Sequence, residues 1–180
     1  MRVLIRMAAA SAAFVAVAAQ AFPIAAAGTE GLLVIAGSGN VIATYQGNSA
    51  AYSNDLYLQN TGAFVFNNHT SAVGSTVNLG SFTPGTELVF RLHVNNTGND
   101  FFTGPAARNP DNAPHARAQA NWQPNETLVS FEDLFNGPYD YNDLSFSFTN
   151  VTAAVPEPGA YALALMGLGV LGAIARRRRG

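Results

Sequence analysis

The sequence predicts an all-β protein, with an antiparallel β-sandwich ectodomain of jelly-roll-like form between an N-terminal signal peptide and a C-terminal single transmembrane helix. Three observations predict this organisation. Short runs of β-branched and aromatic residues alternate with Gly- and Asn-rich turns through the middle of the 180-residue chain. No part of that middle region repeats apolar residues with a helical period. Both ends of the chain, in contrast, are long apolar segments with arginines beside them.

Residues 1–27 have the three parts of a secretory signal peptide in order. Two arginines provide a positive start, and residues 7–19 form an uncharged apolar run. Ala25 and Ala27 place small residues at positions −3 and −1 of a cleavage site, so we predict cleavage after Ala27. An alternative cut follows Ala19-Gln20-Ala21. A retained N-terminal anchor is the other interpretation, although the apolar run is short for a membrane span.

Residues 28–152 are predicted to form the β-sandwich ectodomain. Seven β-prone runs are separated by turn residues, at 32–35, 41–45, 55–58, 63–66, 76–79, 87–94 and 143–150. The last two runs alternate apolar and polar residues, which is typical of half-buried antiparallel strands. Phe146 is therefore predicted to face the core and Ser147 to face solvent. Residues 95–126 have no clear strand pattern, and we expect an irregular segment there.

The composition of the ectodomain excludes several functions. Residues 28–155 contain three Arg and ten Asp or Glu, which gives a net charge of about −7, and the chain contains no lysine. So few cations exclude the basic groove of a typical nucleic-acid-binding protein, and we expect no nucleic-acid partner. The absence of cysteine excludes disulfides, cysteine-ligated metals and a cysteine nucleophile.

The densest acidic cluster surrounds the Gly137-Pro138 turn. Its oxygen-bearing side chains are Glu132, Asp133, Asp140, Asn142 and Asp143. Hard cations such as Ca²⁺ take six to eight oxygen ligands, and these side chains converge if the turn brings two strand ends together. They are a candidate Ca²⁺ site, and Ca²⁺ is the one cofactor that the sequence indicates. The spacing is not that of an EF-hand. The alternative is that the acids form Asx turns or are simply solvated.

Aromatic residues near this cluster raise the alternative of a Ca²⁺-dependent carbohydrate-binding module. Trp122 is the single tryptophan of the chain, and Tyr139 and Tyr141 lie within the acidic segment. Together they could form a platform for sugar rings. A single tryptophan in a sandwich is more often part of the core.

A secreted hydrolase is the third alternative. His115 could pair in space with Asp111 or Asp133, as a base with an acid. The three histidines of the chain form no metal-binding spacing, and no G-x-S-x-G sequence is present. We therefore assign no catalytic residue and predict a protein that is not an enzyme.

The C-terminal part of the chain has three successive segments. Residues 153–159 are predicted to be an exposed linker with Pro156, Glu157 and Pro158, residues 160–175 a transmembrane helix, and residues 176–180 a cytoplasmic tail. Sixteen helical residues span about 24 Å, so the helix crosses the bilayer with its arginines reaching the headgroups. Those arginines, which keep the tail on the cytoplasmic side, are Arg176, Arg177, Arg178 and Arg179. An ordinary single-span anchor with a proline-rich stalk is the alternative.

The V-P-E-P-G sequence at 155–159, the glycine-bearing apolar segment and the arginine cluster together resemble the PEP-CTERM sorting signal of Gram-negative bacteria. The resemblance covers roughly the last 26 residues. It implies that an exosortase, an integral-membrane cysteine protease, cuts near Pro-Glu-Pro. It also implies an exported precursor anchored in the inner membrane and a final place at the cell surface or in the extracellular matrix. Proteins with this signal tend to accompany exopolysaccharide gene clusters.

The F-E-D-L sequence at 131–134 and the D-Y-N-D-L sequence at 140–144 resemble a domain-of-unknown-function family of bacterial surface proteins. The pattern of that family is roughly G-F-E-D-L…G-D-x-D-Y-N-D. Ser130 stands where the family has a glycine, and Pro138-Tyr139 stands at its Gly-Asp turn, so one expected acid is missing. The resemblance implies no enzymatic role. Our prediction is an exported, exosortase-sorted surface protein that is not an enzyme and is associated with exopolysaccharide or biofilm.

Overall fold

The structure is a computed structural model that describes residues 21–155. These residues form eleven β-strands and a short 3₁₀ turn at Ala106–Arg108. The strands are β1 Leu33–Ala36, β2 Asn40–Gly47, β3 Asn54–Leu58, β4 Ala63–Asn67, β5 Thr76–Ser81, β6 Phe90–Val94, β7 Asp100–Phe102, β8 Ala116–Gln123, β9 Glu126–Phe131, β10 Leu144–Thr149 and β11 Val151–Ala154. Neighbouring strands pair antiparallel throughout. The predicted all-β, antiparallel fold class is confirmed.

Two larger sheets face each other across the core. The five-stranded sheet has the order β5-β2-β10-β9-β8, the four-stranded sheet has the order β4-β3-β6-β7, and β1 pairs with β11. Phe90 of β6 stacks on Phe148 of β10 with ring centroids 4.4 Å apart, and it also contacts Phe146 at 5.6 Å. Side chains of both inner faces therefore meet in one apolar layer, as in a β-sandwich. Consecutive strands β8, β9 and β10 are neighbours in one sheet. The sequence predicted a jelly-roll-like form without a strand order, and that finer description stays a prediction.

Strand β6 has the alternation that the sequence predicts. Phe90, Leu92 and Val94 are completely buried, whereas Arg91 and His93 are partly exposed. Because apolar burial is the main favourable contribution to folding, this alternation fixes which face of the strand meets the core.

Residues 95–126 are irregular in part, as the sequence indicates: residues 103–115 contain only the short 3₁₀ turn. The expectation was wrong for two pieces of the segment that form strands. The segment contains β7 and β8, which form the edges of the two larger sheets. Strand β7 has only three residues, which is too short for an alternating pattern. The inward positions of β8 are Ala116 and Ala118, and alanine has a weak strand propensity. Residues 116–123 are mostly small and polar, and they form a strand because the neighbouring strand β9 supplies the hydrogen-bonding edge.

Strand β10 is buried on both faces, which corrects the prediction that Ser147 faces solvent. Ser145 is completely buried and Ser147 is 1% exposed. The side-chain oxygen of Ser147 accepts a hydrogen bond from the Gln46 amide at 3.0 Å, and Ser145 shares a 2.8 Å hydrogen bond with Ser130. The chain segment at 22–31, which we call the N-terminal strap, crosses this outer face of the sheet. A central strand with a covered outer face carries serine there because each hydroxyl finds a partner.

The predicted membrane segments lie outside the described residues. They are residues 1–20 of the signal peptide, the helix at 160–175 and the arginine-rich tail at 176–180. Within residues 21–155 no helix has the length and apolar character needed to cross a membrane.

Candidate functional site

The acidic segment 132–143 is the loop that joins β9 to β10 at one end of the five-stranded sheet. Phe131, the last residue of β9, pairs directly with Leu144, the first residue of β10. The chain therefore leaves the sheet and returns to the same point, as the hypothesis of a shared acidic site requires. The main-chain N–H of Asp143 also donates to the carbonyl of Phe131 at 3.1 Å, which holds the two loop ends together.

Glu132 is the first residue of this loop and is 1% exposed. Its carboxylate accepts hydrogen bonds from the main-chain N–H groups of Leu134 at 3.1 Å, Asp140 at 3.0 Å and Tyr141 at 3.4 Å. These bonds shape the loop around a buried negative charge. Burial outweighs them, and the pKa of Glu132 is raised above its ordinary value.

Asp133 connects the loop to the opposite sheet. Its side-chain oxygen accepts a 2.7 Å hydrogen bond from the amide of Asn54, the first residue of β3. Its main-chain N–H donates to the carboxylate of Asp143 at 2.7 Å. Both carboxylates are nearly inaccessible, with Asp133 3% and Asp143 7% exposed. Burial raises the pKa of Asp133, and burial together with the nearby Asp133 charge raises the pKa of Asp143 to about 8.

Three carboxylates converge at the loop. Glu132, Asp140 and Asp143 each have an oxygen within 4.8 Å of the other two. Two oxygens that bind one Ca²⁺ at about 2.4 Å lie at most about 4.8 Å apart, so this spacing suits a shared ion. Asp133 does not belong to this group of three. Asn142 donates to Asp140 at 2.6 Å and so orients that exposed carboxylate.

The arginines of the ectodomain do not neutralise this cluster. Each of the three is paired with another acid: Arg91 with Asp100, Arg108 with Glu87, and Arg117 with Glu30. Like charges in a poorly hydrated region repel one another strongly. Burial is the main cause of the raised pKa values of Glu132, Asp133 and Asp143, and repulsion between neighbouring carboxylates adds to it. Bound protons or a bound cation would relieve both effects.

Asn54 also carries an unpaired oxygen beside the cluster. Its side-chain Oδ1 is buried and makes no hydrogen bond, while the Nδ2 of the same amide donates to Asp133. A buried carbonyl oxygen without a partner costs about 1–3 kcal/mol. Sequence reasoning missed this residue, because a lone asparagine at a strand start gives no signal without the contact to the distant loop.

A second polar cluster, which contains Asp111 and His115, lies next to the acidic loop. The Nε2 atom of His115 is 2.8 Å from Asp111 Oδ2, and its Nδ1 atom is 3.0 Å from the main-chain oxygen of Glu132. Both neighbours are acceptors, so the form of the ring with two N–H groups satisfies both. The ring is completely buried and stacks on Phe101 with centroids 3.7 Å apart. The predicted pairing of His115 with Asp111 is present, but no surface of the ring is open to a substrate.

Asp111 is held as a carboxylate by several donors. Burial alone would raise its pKa, but the hydrogen bonds from His115, from the N–H groups of Asn136 and Ala113 and from the Tyr139 hydroxyl hold the pKa well below its usual range. Its side chain is 1% exposed. The carboxylate therefore joins the start of β8 to the acidic loop.

The predicted aromatic platform does not form. Tyr141 is 3% exposed, and the guanidinium of Arg117 lies 4.2 Å above its ring. Trp122 lies near the β9 hairpin end of β8, whereas Tyr139 lies in the loop next to the other end of that strand. At about 3.3 Å per residue, the six residues from Ala116 to Trp122 separate these ends by about 20 Å. One sugar cannot contact both.

A cleft of about 470 Å³ opens on another part of the sandwich. The start of the N-terminal strap forms one wall, and the end of β2 and the loop after β4 form the other. Its polar lining includes Tyr45, Asn48 and Asn68, which are hydrogen-bonded to one another at 2.7–2.8 Å. The described residues place no carboxylate in this lining.

The end of the last strand is also the start of a recognised signal. Strand β11 ends at Ala154, and a match to the PEP-CTERM protein-sorting motif covers residues 154–179. The chain carries a PEP-CTERM motif. It is therefore an exported protein that is sorted by an exosortase from a membrane-anchored precursor. The predicted signal residues from Pro156 to Pro158 and from Arg176 to Arg179 all fall within the PEP-CTERM motif.

No curated protein and no solved structure shows significant similarity to the chain. The resemblance of residues 131–144 to the domain-of-unknown-function family stays a prediction. The candidate metal ligands and the signal-peptide cut after Ala27 also stay predictions.

Proposed function

We propose that this protein is a component of the extracellular polysaccharide matrix that is not an enzyme. The observation that carries the proposal is the PEP-CTERM motif starting at the last residue of β11, because it makes the β-sandwich the part delivered to the surface. Once an exosortase has cut near Pro156-Glu157-Pro158, the delivered part consists essentially of that sandwich. Its net charge of about −7 keeps copies apart in solution.

Several polar side chains of the ectodomain use their hydrogen bonds to hold the fold together, and this supports a structural role for the protein. His115, which could have served as a base, is buried and bonded through both ring nitrogens. Glu132 and Asp143 accept main-chain hydrogen bonds that shape their own loop. These groups rigidify one end of the sandwich, which suits a protein that must stay folded outside the cell.

Fractionation of a producing bacterium tests the matrix role. The full chain is expressed in a Gram-negative strain that has an exosortase and makes exopolysaccharide, and in an isogenic strain that makes none. We expect the protein to sediment with the matrix of the first strain and to appear in the culture fluid of the second. A variant with Pro156, Glu157 and Pro158 replaced by alanine controls for sorting and should stay in the membrane fraction. Equal distribution of the wild-type protein in both strains would contradict the matrix role.

A Ca²⁺-dependent carbohydrate-binding module is the second candidate. It is favoured by the three carboxylates within 4.8 Å of one another, which no arginine neutralises. Asn54, whose Oδ1 is unpaired next to Asp133, adds a neutral oxygen that a cation could use. Ca²⁺ would hold the loop rigid, and sugar hydroxyls could complete its coordination.

Calorimetric titration for Ca²⁺ binding and thermal melts with and without Ca²⁺ test the second candidate. An ion that binds only the folded state raises the free energy of unfolding by about 2.7 kcal/mol at a hundredfold excess of Ca²⁺ over Kd. Asp140→Asn combined with Asp143→Asn should remove this effect, whereas Glu126→Gln, at the end of β9 opposite the loop, should keep it. Glycan-array binding that EDTA abolishes would support the module. No heat of Ca²⁺ binding at millimolar concentration would leave the acids with a structural role.

A further inference from the structure

The N-terminal strap, residues 22–31, is bonded across the outer face of the five-stranded sheet. Its main-chain N–H groups donate from Ala25 to the Ser130 hydroxyl and from Ala26 to the Gln119 side chain, both at 2.9 Å. Farther along, Gly31 donates to the carbonyl of Ala116 at 3.0 Å. The strap thus crosses β9 and then follows β8. Ala25 is 1% exposed, as buried as the core residues.

The start of the strap fits a glycine in β2. Phe22 packs over Gly47, and a Cβ atom at position 47 would lie 2.7 Å from the Cβ of Phe22. Gly47 also has a φ of +129°, which L-residues rarely adopt. The positive φ and the close approach of Phe22 each favour glycine at position 47. The steric requirement holds only while Phe22 is present. Part of the sequence of β2 is therefore matched to the strap.

The two cleavage sites in the sequence differ in what they leave of the strap. Both have alanine at positions −3 and −1. A cut after Ala27 removes Phe22 and Ala25, so the buried hydroxyl of Ser130 loses one of its two hydrogen-bond partners and Gly47 loses the residue that packs over it. A cut after Ala21 keeps every strap contact.

We propose that a signal peptidase hydrolyses the bond between Ala21 and Phe22, so that the strap is part of the mature ectodomain. Water adds across this peptide bond, which leaves a carboxylate on Ala21 of the released leader and an α-ammonium group on Phe22. The proposal rests on export, which the sorting motif establishes, and does not depend on the matrix role. It moves the start of the ectodomain from residue 28 to residue 22.

Mass spectrometry of the exported full chain tests this cut. We expect a mature protein whose first residue is Phe22. A first residue of Gly28, or an uncut leader, would overturn the proposal. The C-terminal peptide of the same sample reports separately on exosortase processing, so failure of sorting and failure of this proposal are distinguishable.

Two matched substitutions sharpen the result. Ala21→Leu places a bulky residue at position −1 of the proposed site and should abolish the Phe22 N-terminus. Ala27→Leu does the same at the other site, and since Ala27 is exposed it leaves the fold unchanged. We expect Ala27→Leu to be processed like wild type. The reverse pattern, with Ala27→Leu blocked and Ala21→Leu normal, would show that the cut follows Ala27.

Discussion

The amide of Asn54 on β3 donates a 2.7 Å hydrogen bond to the carboxylate of Asp133, which follows β9 in the opposite sheet. Through this bond the acidic loop is attached to both layers of the sandwich. Asn54 and Asp133 are both nearly or completely buried, so the bond is made where the dielectric constant is low and a lost partner is costly.

Asn54→Ala should therefore destabilise the protein. The substitution leaves the buried Asp133 carboxylate without its donor, which costs about 1–3 kcal/mol. It also removes the unpaired Oδ1 of Asn54, so the net loss of stability is expected at the lower end of that range. Urea denaturation measures the free energy of unfolding. Asn95→Ala, at an exposed turn position, is the control and should change it by less than about 0.5 kcal/mol. Equal stability of the two variants would show that the contact to Asp133 contributes nothing.

The stability of the metal-free protein should fall as pH rises from about 5 to about 8. The pKa of Asp143 is raised to about 8 in the folded state, so the folded protein keeps a proton that the unfolded chain releases near pH 4. One such group lowers the free energy of unfolding by about 1.4 kcal/mol per pH unit in this range. Thermal melts in EDTA measure the trend, and Asp143→Asn should reduce its slope. Part of the slope remains, because the pKa values of Glu132 and Asp133 are also raised. A wild-type stability that rises over this range would contradict the raised pKa.

Asp111 has the opposite dependence on pH. Because its pKa is held below the ordinary value, its contribution is present above about pH 4 and is lost as the pH falls further. Asp111→Asn should cost on the order of 2–4 kcal/mol at pH 7, since the buried His115 ring loses its anionic partner. Chemical denaturation at pH 7 and pH 3 measures both effects. An unfolding free energy of the variant equal to that of the wild type at pH 7 would refute this assignment.

Phe146→Asp and Ser147→Asp should both destabilise the sandwich strongly. Phe146 is buried in the inner core, and Ser147 is buried on the outer face. A buried carboxylate without a partner costs several kcal/mol in either place. Thr152→Asp, at an exposed position of β11, is the control and should melt close to wild type. A Ser147→Asp variant with a wild-type melting temperature would mean that the outer face opens to water.

Replacing Arg176, Arg177, Arg178 and Arg179 by asparagine should block sorting. Positive charges beside an apolar segment keep that end on the cytoplasmic side, and the variant loses this orientation signal. Immunoblots of membrane and surface fractions should show accumulation of precursor. Replacement by lysine preserves the charge and should restore processing. Normal processing of the asparagine variant would contradict a role in topology.

The parts of the fold that the sequence predicted are those with local patterns. The alternation of β6 indicated its core face correctly, and the acids between Glu132 and Asp143 were correctly expected to lie at one pair of strand ends. The burial of Ser147 and the formation of β8 depend on neighbours that are distant in the sequence. Asn54 is the same case, since its contact to Asp133 joins residues that are 79 positions apart. Pattern reasoning describes one strand at a time and therefore misses such contacts.

The N-terminal strap also gives the protein a natural labelling point. The whole chain contains no lysine, so after leader removal the α-amino group of the first residue is its sole primary amine. If that residue is Phe22, the amine lies at the edge of the cleft lined by Tyr45 and Asn48. An amine-reactive fluorophore would then attach at one defined position without any engineered residue. Its emission would follow the detachment of the strap from the sheet in real time.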